Sequence, residues 1–193
     1  MYIPIHFNVT DKEKILAFLK ANAFGQLISL VEGKLFSSHI PFFMSDDNQS
    51  LICHIAKRNP QWESIEDQEV LVTFQGPHDY VSPSWYNSPG VPTWNYQSVH
   101  IYGKPQLITD TEQLSNIVNV LTGIYEFALE IPWEPEYKES MLNAIIGIKI
   151  EITDIQCKYK LSQNRSEDDR LKVIEEHEKR GSLELSLATK NEL

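Results

Sequence analysis

The spacing of apolar positions changes several times along the chain, and each change marks an element. After the extended lead MYIPIHF, Ile15, Leu16, Phe18 and Leu19 share one helical face behind a capping-box pattern of Thr10 and Glu13, so a helix is expected to end near Gly25. The period then drops to two. QLISLVE and KLFSSHIPFFM flank Gly33 and predict a β-hairpin turning at Glu32-Gly33, with Pro41 marking a bend or an edge. A polar loop from Ser45 to Ser50 leads to a third strand, LICHIA, and Asn59-Pro60 opens a short helix or turn in NPQWESIED. EVLVTFQG reads as a fourth strand, and another is expected from about Asn95 to Ile108 with a bulge at Gly103. Helical spacing returns at Thr111 to Glu126, where Leu114, Ile117, Val118 and Leu121 face inward, and again at Lys138 to Ala144 before the strand IIGIKIEITDIQCKYKL. Six or seven mostly antiparallel strands with helices at their ends predict a mainly β fold with peripheral helices, a closed or split β-barrel.

From Ser166 the pattern is different: SEDDRLKVIEEHEKRG has a serine cap, an acidic first turn and a basic end before Gly181. This predicts a solvated helix whose thin apolar stripe is Leu171 and Ile174. The chain therefore divides into a domain over residues 1–165, with helices near 11–24 and 111–144, and an appended C-terminal helix and flexible tail over 166–193.

Charge narrows the list of partners. With 27 acidic against 17 basic residues the formal net charge is −10, a field that repels polyanions, so nonspecific nucleic-acid binding by the whole surface is not expected. Two cysteines, Cys53 and Cys157, give neither a disulfide framework nor metal-ligand spacing and are expected to be reduced and buried. No apolar run is long enough for a membrane span and the N-terminus has no leader pattern, which points to a cytoplasmic protein.

Six of the twenty aromatic residues (Tyr80, Trp85, Tyr86, Trp94, Tyr96 and Tyr102) crowd into residues 80–103 with Pro83, Pro89 and Pro92. Flat side chains with polar tips suit a surface covered by a planar ligand or a second chain; the plainer reading is a tyrosine-rich hairpin closing a β core. Lys57 and Arg58 stand at a strand end just ahead of a helix start, where cations and free backbone amides would receive a phosphate, although a solvated loop has the same composition. Ser37, Ser38 and His39 before Pro41 could meet the polar edge of a ring, or could be the wet face of an edge strand. Lys158 to Arg165 gathers donors and cations at another strand end, or caps a helix. No GxSxG, Walker loop, GxGxxG, HExxH or paired CxxC is found, and the histidines are scattered, so no catalytic or metal residue is assigned.

In order along the chain, MYIP, GQLISL followed by SSHIPF, HIAKRNPQW, FQGPHDYVSPSWY, VPTWNYQSVHIYG and KLSQNRSEDDR resemble the PaiB family of FMN-binding negative transcriptional regulators, over about residues 1–175. The resemblance implies a split barrel of the pyridoxamine-phosphate-oxidase type, a homodimer with a flavin site in each of two clefts between the chains. It makes His39, Ile40 and Pro41 the strand beside the isoalloxazine ring, Lys57 and Arg58 the phosphate clamp, and Asn59 and Pro60 the close of the phosphate loop. Gln75 and Gly76 would approach the ring edge, Trp94, Asn95 and Tyr96 would come from the aromatic segment, and Lys160, Ser162, Gln163 and Arg165 would complete the cleft.

The functional expectation is a dimeric regulator that binds FMN or a similar ligand and represses genes for sporulation and extracellular degradative enzymes. With no helix-turn-helix pattern, direct DNA contact would need a local patch, either Lys158 to Arg165 or the terminal helix with Arg170, Lys172, Lys179 and Arg180. The alternatives are a flavin-dependent oxidoreductase of small substrates and a haem-binding protein with His39, His54 or His100 as axial ligand.

Overall fold

The computed structural model describes residues 1–133, 135 and 138–193, so positions 134, 136 and 137 of the helical span expected over 111–144 lie outside the described residues. Eight strands form one sheet: β1 (Asn8–Val9), β2 (Phe24–Val31), β3 (Lys34–Pro41), β4 (Phe43–Met44), β5 (Ser50–Ala56), β6 (Val70–Val81), β7 (Thr93–Ile108) and β8 (Ile145–Lys160). Their order is β3-β2-β6-β7-β8-β5-β4, with β1 on β8. The helices are α1 (Lys12–Ala21), α2 (Thr111–Glu126), α3 (Glu139–Leu142), α4 (Glu167–Lys179) and α5 (Leu183–Lys190). The chain clusters into two compact units, and β6, β7 and β8 each pass from one to the other.

One unit comprises Ala23–Phe74 and Ile101–Ile155. Its hairpin turns at Glu32 and Gly33, both with positive φ (50° and 74°), the left-handed pair that matches the twist of two antiparallel strands. Across the hairpin Leu27 faces Ser38, Gln26 faces His39 and Gly25 faces Ile40. Gly25 lies inside β2, where a Cβ would meet the Phe74 ring at 2.7 Å, so the residue expected to close the first helix serves strand packing instead. The core is apolar: Leu27, Phe42, Leu51, Ile65, Val72, Phe74, Ile101, Ile148 and Ile150 are buried. Helix α2 is capped by Asp110 and buries Leu114, Ile117 and Leu121, each contributing on the order of 2 kcal/mol. It packs closely because Gly147 offers no side chain; a Cβ there would sit 2.8 Å from Ile117.

Gly103 is not a bulge. Buried and outward positions alternate without a break from Asn95 to Pro105, which an extra residue in the ladder would invert. The glycine permits close strand approach, since a Cβ would lie 2.5 Å from the carbonyl oxygen of Glu151.

The other unit comprises Met1–Asn22, Gln75–His100 and Gln156–Leu193. The cap of α1 is Asp11, whose carboxylate accepts from the amides of Glu13 and Lys14, one position after the expected Thr10. In α4, capped by Ser166 as expected, Leu171 is exposed and the buried side is Asp169, Arg170, Val173, Ile174 and His177. A hydrophobicity count misses this face because two of its members, Asp169 and Arg170, are charged and hydrogen-bonded within the chain. Asp169 accepts from the Asn87 amide at 2.6 Å and the Ser88 hydroxyl at 2.8 Å, and Arg170 donates to the Glu192 carbonyl at 2.5 Å. Where the sequence suggested a flexible tail, α5 buries Leu185, Ser186 and Thr189. Both cysteines are free and buried. No helix among the described residues is long and apolar enough to cross a membrane.

Candidate functional site

The candidate residues fall into two groups, one in each unit. In the first, β5 ends at Ala56 and the chain turns through Lys57, Arg58 and Asn59 into a 3-10 turn, Pro60–Glu63. Three side chains fix this turn. Asn59 accepts from the Gln61 amide at 3.0 Å and donates to the Ser38 hydroxyl at 2.7 Å, tying the turn to β3. Gln61, fully buried, donates to the Leu27 carbonyl at 3.2 Å and the Ser29 hydroxyl at 2.8 Å, tying it to β2. Trp62 donates its indole N–H to the Lys57 carbonyl at 2.9 Å.

What remains unengaged is the charge. Lys57 and Arg58 are exposed, and among the described residues neither head group has an ion-pair or hydrogen-bond partner. Two of the expected amide donors are missing, because Pro60 has no N–H and that of Gln61 is held by Asn59. A phosphate here would be gripped by an ammonium and a guanidinium on a rigid turn. This donor set fits a phosphate monoester, since the cations carry free N–H groups and no competing carboxylate.

On the neighbouring strand of the same unit, His39 is exposed, with its ring 6.3 Å from that of exposed Phe24. Ile40 and Pro41 are half-buried. His54, on β5, keeps a buried Nδ1 without a partner, and burial lowers its pKa, so the ring is neutral near pH 7.

The second group belongs to the other unit. Gln75, Trp94 and Tyr96 line a cleft of about 360 Å³ together with His78 and Ser98. His78 joins because the alternation of β6 slips between buried Gly76 and buried Val81, turning positions 75 and 78 to the same side. Its Nδ1 lies 3.2 Å from Gln75 Nε2, and its ring centre 6.4 Å from that of Trp94. Gly76 is buried, and a Cβ there would meet Phe18 of α1 at 2.7 Å, but it lines a second cavity of about 670 Å³ with Gln75, Pro77 and His78.

The remaining members of this group are committed to each other. Buried Asn95 and Ser162 exchange hydrogen bonds at 3.0 and 3.2 Å. Gln163 closes its own turn through the Tyr159 carbonyl and the Leu161 amide. Arg165 lies 4.2 Å from the Tyr86 ring centre and donates to the Pro89 carbonyl, clamping the proline-rich loop. Lys160 donates to Thr93 Oγ1 at 2.5 Å and the Trp94 carbonyl at 2.6 Å, and its pKa is lowered by burial first and then by the charges of Lys158 and Arg165. Of the second group, Gln75, Trp94 and Tyr96 share one cleft, and Gln75 and Gly76 the other.

Sequence reasoning missed Gln61, His78 and Ser98, whereas Lys158 stood in the cluster it singled out at 158–165. Ser98 was within reach, since a period of two from Trp94 and Tyr96 leads to it. His78 was not, because the slip in β6 leaves no compositional mark.

Residues 1–154 match the family described as "Putative FMN-binding domain", and the chain belongs to that family, with the mainly β, split-barrel fold expected from its sequence. Among its relatives is the protease synthase and sporulation protein PAI 2 of Bacillus subtilis, 44% identical over 184 residues, covering 91% of this chain and 88% of the relative. A protein of Aspergillus fumigatus is 34% identical, covering 94% of this chain and 92% of its own. Two solved structures share the fold: the flavocytochrome Anf3 from Azotobacter vinelandii (17% identity, TM-score 0.67, 86% of this chain and 75% of that one) and the FAD and heme binding protein from Mycobacterium smegmatis (14%, 0.66, 85% and 78%).

Proposed function

We propose that the chain binds FMN, with Lys57 and Arg58 holding the phosphate and β3 around His39 to Pro41 lying beside the ring. The observation that carries this is the pair of unpartnered cations on a turn fixed by Asn59, Gln61 and Trp62. A preorganised turn loses little freedom on binding, so the charge-assisted bonds count almost in full. Bound FMN would supply hydride or electron transfer; these residues bind and orient it. The test is discrimination between FMN and riboflavin, which differ by the phosphate alone. FMN should bind at least about tenfold more tightly, given 1.5 to 3 kcal/mol for each bond to a charged group; equal affinities would defeat the phosphate assignment.

The role we propose is regulatory, as the name of the Bacillus subtilis relative suggests, with flavin occupancy as the signal and without direct operator contact. The cations of α4 proposed for DNA contact are occupied within the chain. Arg170 donates to the Glu192 carbonyl, Lys172 to Asn87, Lys179 pairs with Glu175 and Glu176, and Arg180 with Asp79. A mobility-shift assay over a salt series should show no complex even at low ionic strength; a shift whose affinity falls steeply with salt would reinstate direct repression.

A further inference from the structure

We propose a second ligand site, separate from the phosphate clamp: the cleft lined by Gln75, His78, Trp94, Tyr96 and Ser98, with Lys158 at its margin, takes a flat monoanion of the aryl carboxylate class. Its residues lie in the unit that lacks Lys57 and Arg58, but the resemblance gives Gln75, Trp94, Tyr96 and Lys160 to the flavin cleft, so competition with FMN separates the two readings.

The first ground is a charge without a counter-ion. Lys158 is only 8% exposed, yet no carboxylate pairs with it among the described residues. Its ammonium donates to the Tyr2 carbonyl at 3.1 Å and lies 5.3 Å from the Tyr96 ring centre and 5.9 Å from that of Tyr2. Ring faces compensate a cation only in part, and an ammonium has three N–H donors. One is used; the others have no acceptor among the described residues.

Sequence supplies a second, independent ground. Three segments of this unit, residues 1–10, 80–100 and 156–166, contain no aspartate or glutamate, although the chain holds 27. Lysines, arginine and histidines remain in them: Lys158, Lys160, Arg165, His78 just outside, and His100. Apart from Asp79, whose carboxylate is held by Ser182 and Arg180, an acidic protein has kept these segments clear of acid, as a site for an anion requires.

Shape and donor type select the anion. Trp94 and Tyr96 offer flat walls, and about 360 Å³ accommodates a one- or two-ring molecule, near the lower limit for small-ligand pockets. Tyr96 is the link, since it walls the cleft and carries Lys158 over its ring. Lys160 has committed two donors to Thr93 and Trp94, which leaves one spare beside those of Lys158. That supply matches the two oxygens of a carboxylate better than a phosphate dianion, which favours guanidinium forks or runs of backbone amides.

The experiment titrates the full chain with benzoate, followed by tryptophan emission and calorimetry, with cyclohexanecarboxylate as the non-planar control of equal charge. Saturable benzoate binding is expected, about fivefold or more tighter than the control. Lys158→Met should weaken it about tenfold or more, the loss of one charge-assisted contact. Ser98→Trp, which fills the cleft and leaves Lys158 in place, should abolish it should the lysine variant fail to fold. The Lys57→Ala, Arg58→Ala double variant should retain benzoate affinity within about twofold. No saturable binding, equal affinity for the two carboxylates, or indifference to both cleft variants would overturn the proposal. Competition between FMN and benzoate, with FMN affinity falling in Lys158→Met, would also overturn it, by making the cleft part of the flavin's own site.

Discussion

Gln61 illustrates how much of this molecule depends on single buried polar groups. Its amide N–H groups hold the 59–63 turn against Leu27 and Ser29 of β2, and nothing apolar replaces them. Gln61→Leu should lower stability by about 1 to 3 kcal/mol by stranding the Ser29 hydroxyl and the Leu27 carbonyl, and should weaken FMN binding although both cations stay. Urea denaturation and FMN titration on the same variant check the pair; an unchanged flavin affinity in a destabilised protein would show that the turn does not position the clamp. Residue chemistry was legible where it is local. Lys57, Arg58 and the Asn59-Pro60 turn could be read from adjacent letters, because a strand end followed by a proline-led turn has one local geometry. Asn95 and Ser162 could not, because their reciprocal bonds join residues 67 apart in sequence.

Among the elements, strands and helices with a clear period were legible almost to the residue, and α2 has the bounds its apolar spacing predicts. Errors arose where packing needs a small or polar residue. Gly103 suggested a bulge but serves a close strand contact, and Leu171 suggested a buried stripe whose real members include Asp169 and Arg170. Gly103→Ala should destabilise by about 1 to 3 kcal/mol, because backbone oxygen cannot retreat from a Cβ as a side chain can; a thermal midpoint equal to that of the parent would contradict the contact. Helix α4 carries a pH dependence. His177 is fully buried against Trp85, with neither ring nitrogen bonded to a side chain or carbonyl at good geometry, and burial lowers its pKa despite the nearby Asp79. The folded pKa is therefore below the unfolded one near 6.5, so stability is complete above about pH 6.5 and declines as pH falls toward the folded value. His177→Phe should flatten the denaturation midpoint between about pH 7 and 5; an equally steep profile would assign the effect to other groups, such as His54 and His100, whose pKa values burial also lowers.

For the whole molecule, the expected homodimer is a proposal with a physical basis in exposed apolar surface. On the outward side of the β2–β3 hairpin Phe24 is 63% exposed and Leu35 79%, and in the other unit Trp94 is 53% exposed. Sedimentation at micromolar concentration should give twice the chain mass, and Trp94→Ala should shift the equilibrium toward the single chain; a monomeric parent, or a variant as dimeric as the parent, would count against an interfacial Trp94. The central claim is that two adjacent cations on a rigid turn grip the phosphate of FMN. Titrating FMN into the parent and the Lys57→Ala, Arg58→Ala variant, with quenching of flavin emission as signal and circular dichroism as the fold control, tests it directly. Tight binding by the parent and a loss of about a hundredfold or more in a folded variant is the predicted result, from roughly 1.5 to 3 kcal/mol per charge-assisted bond; equal affinity in the two proteins would contradict it.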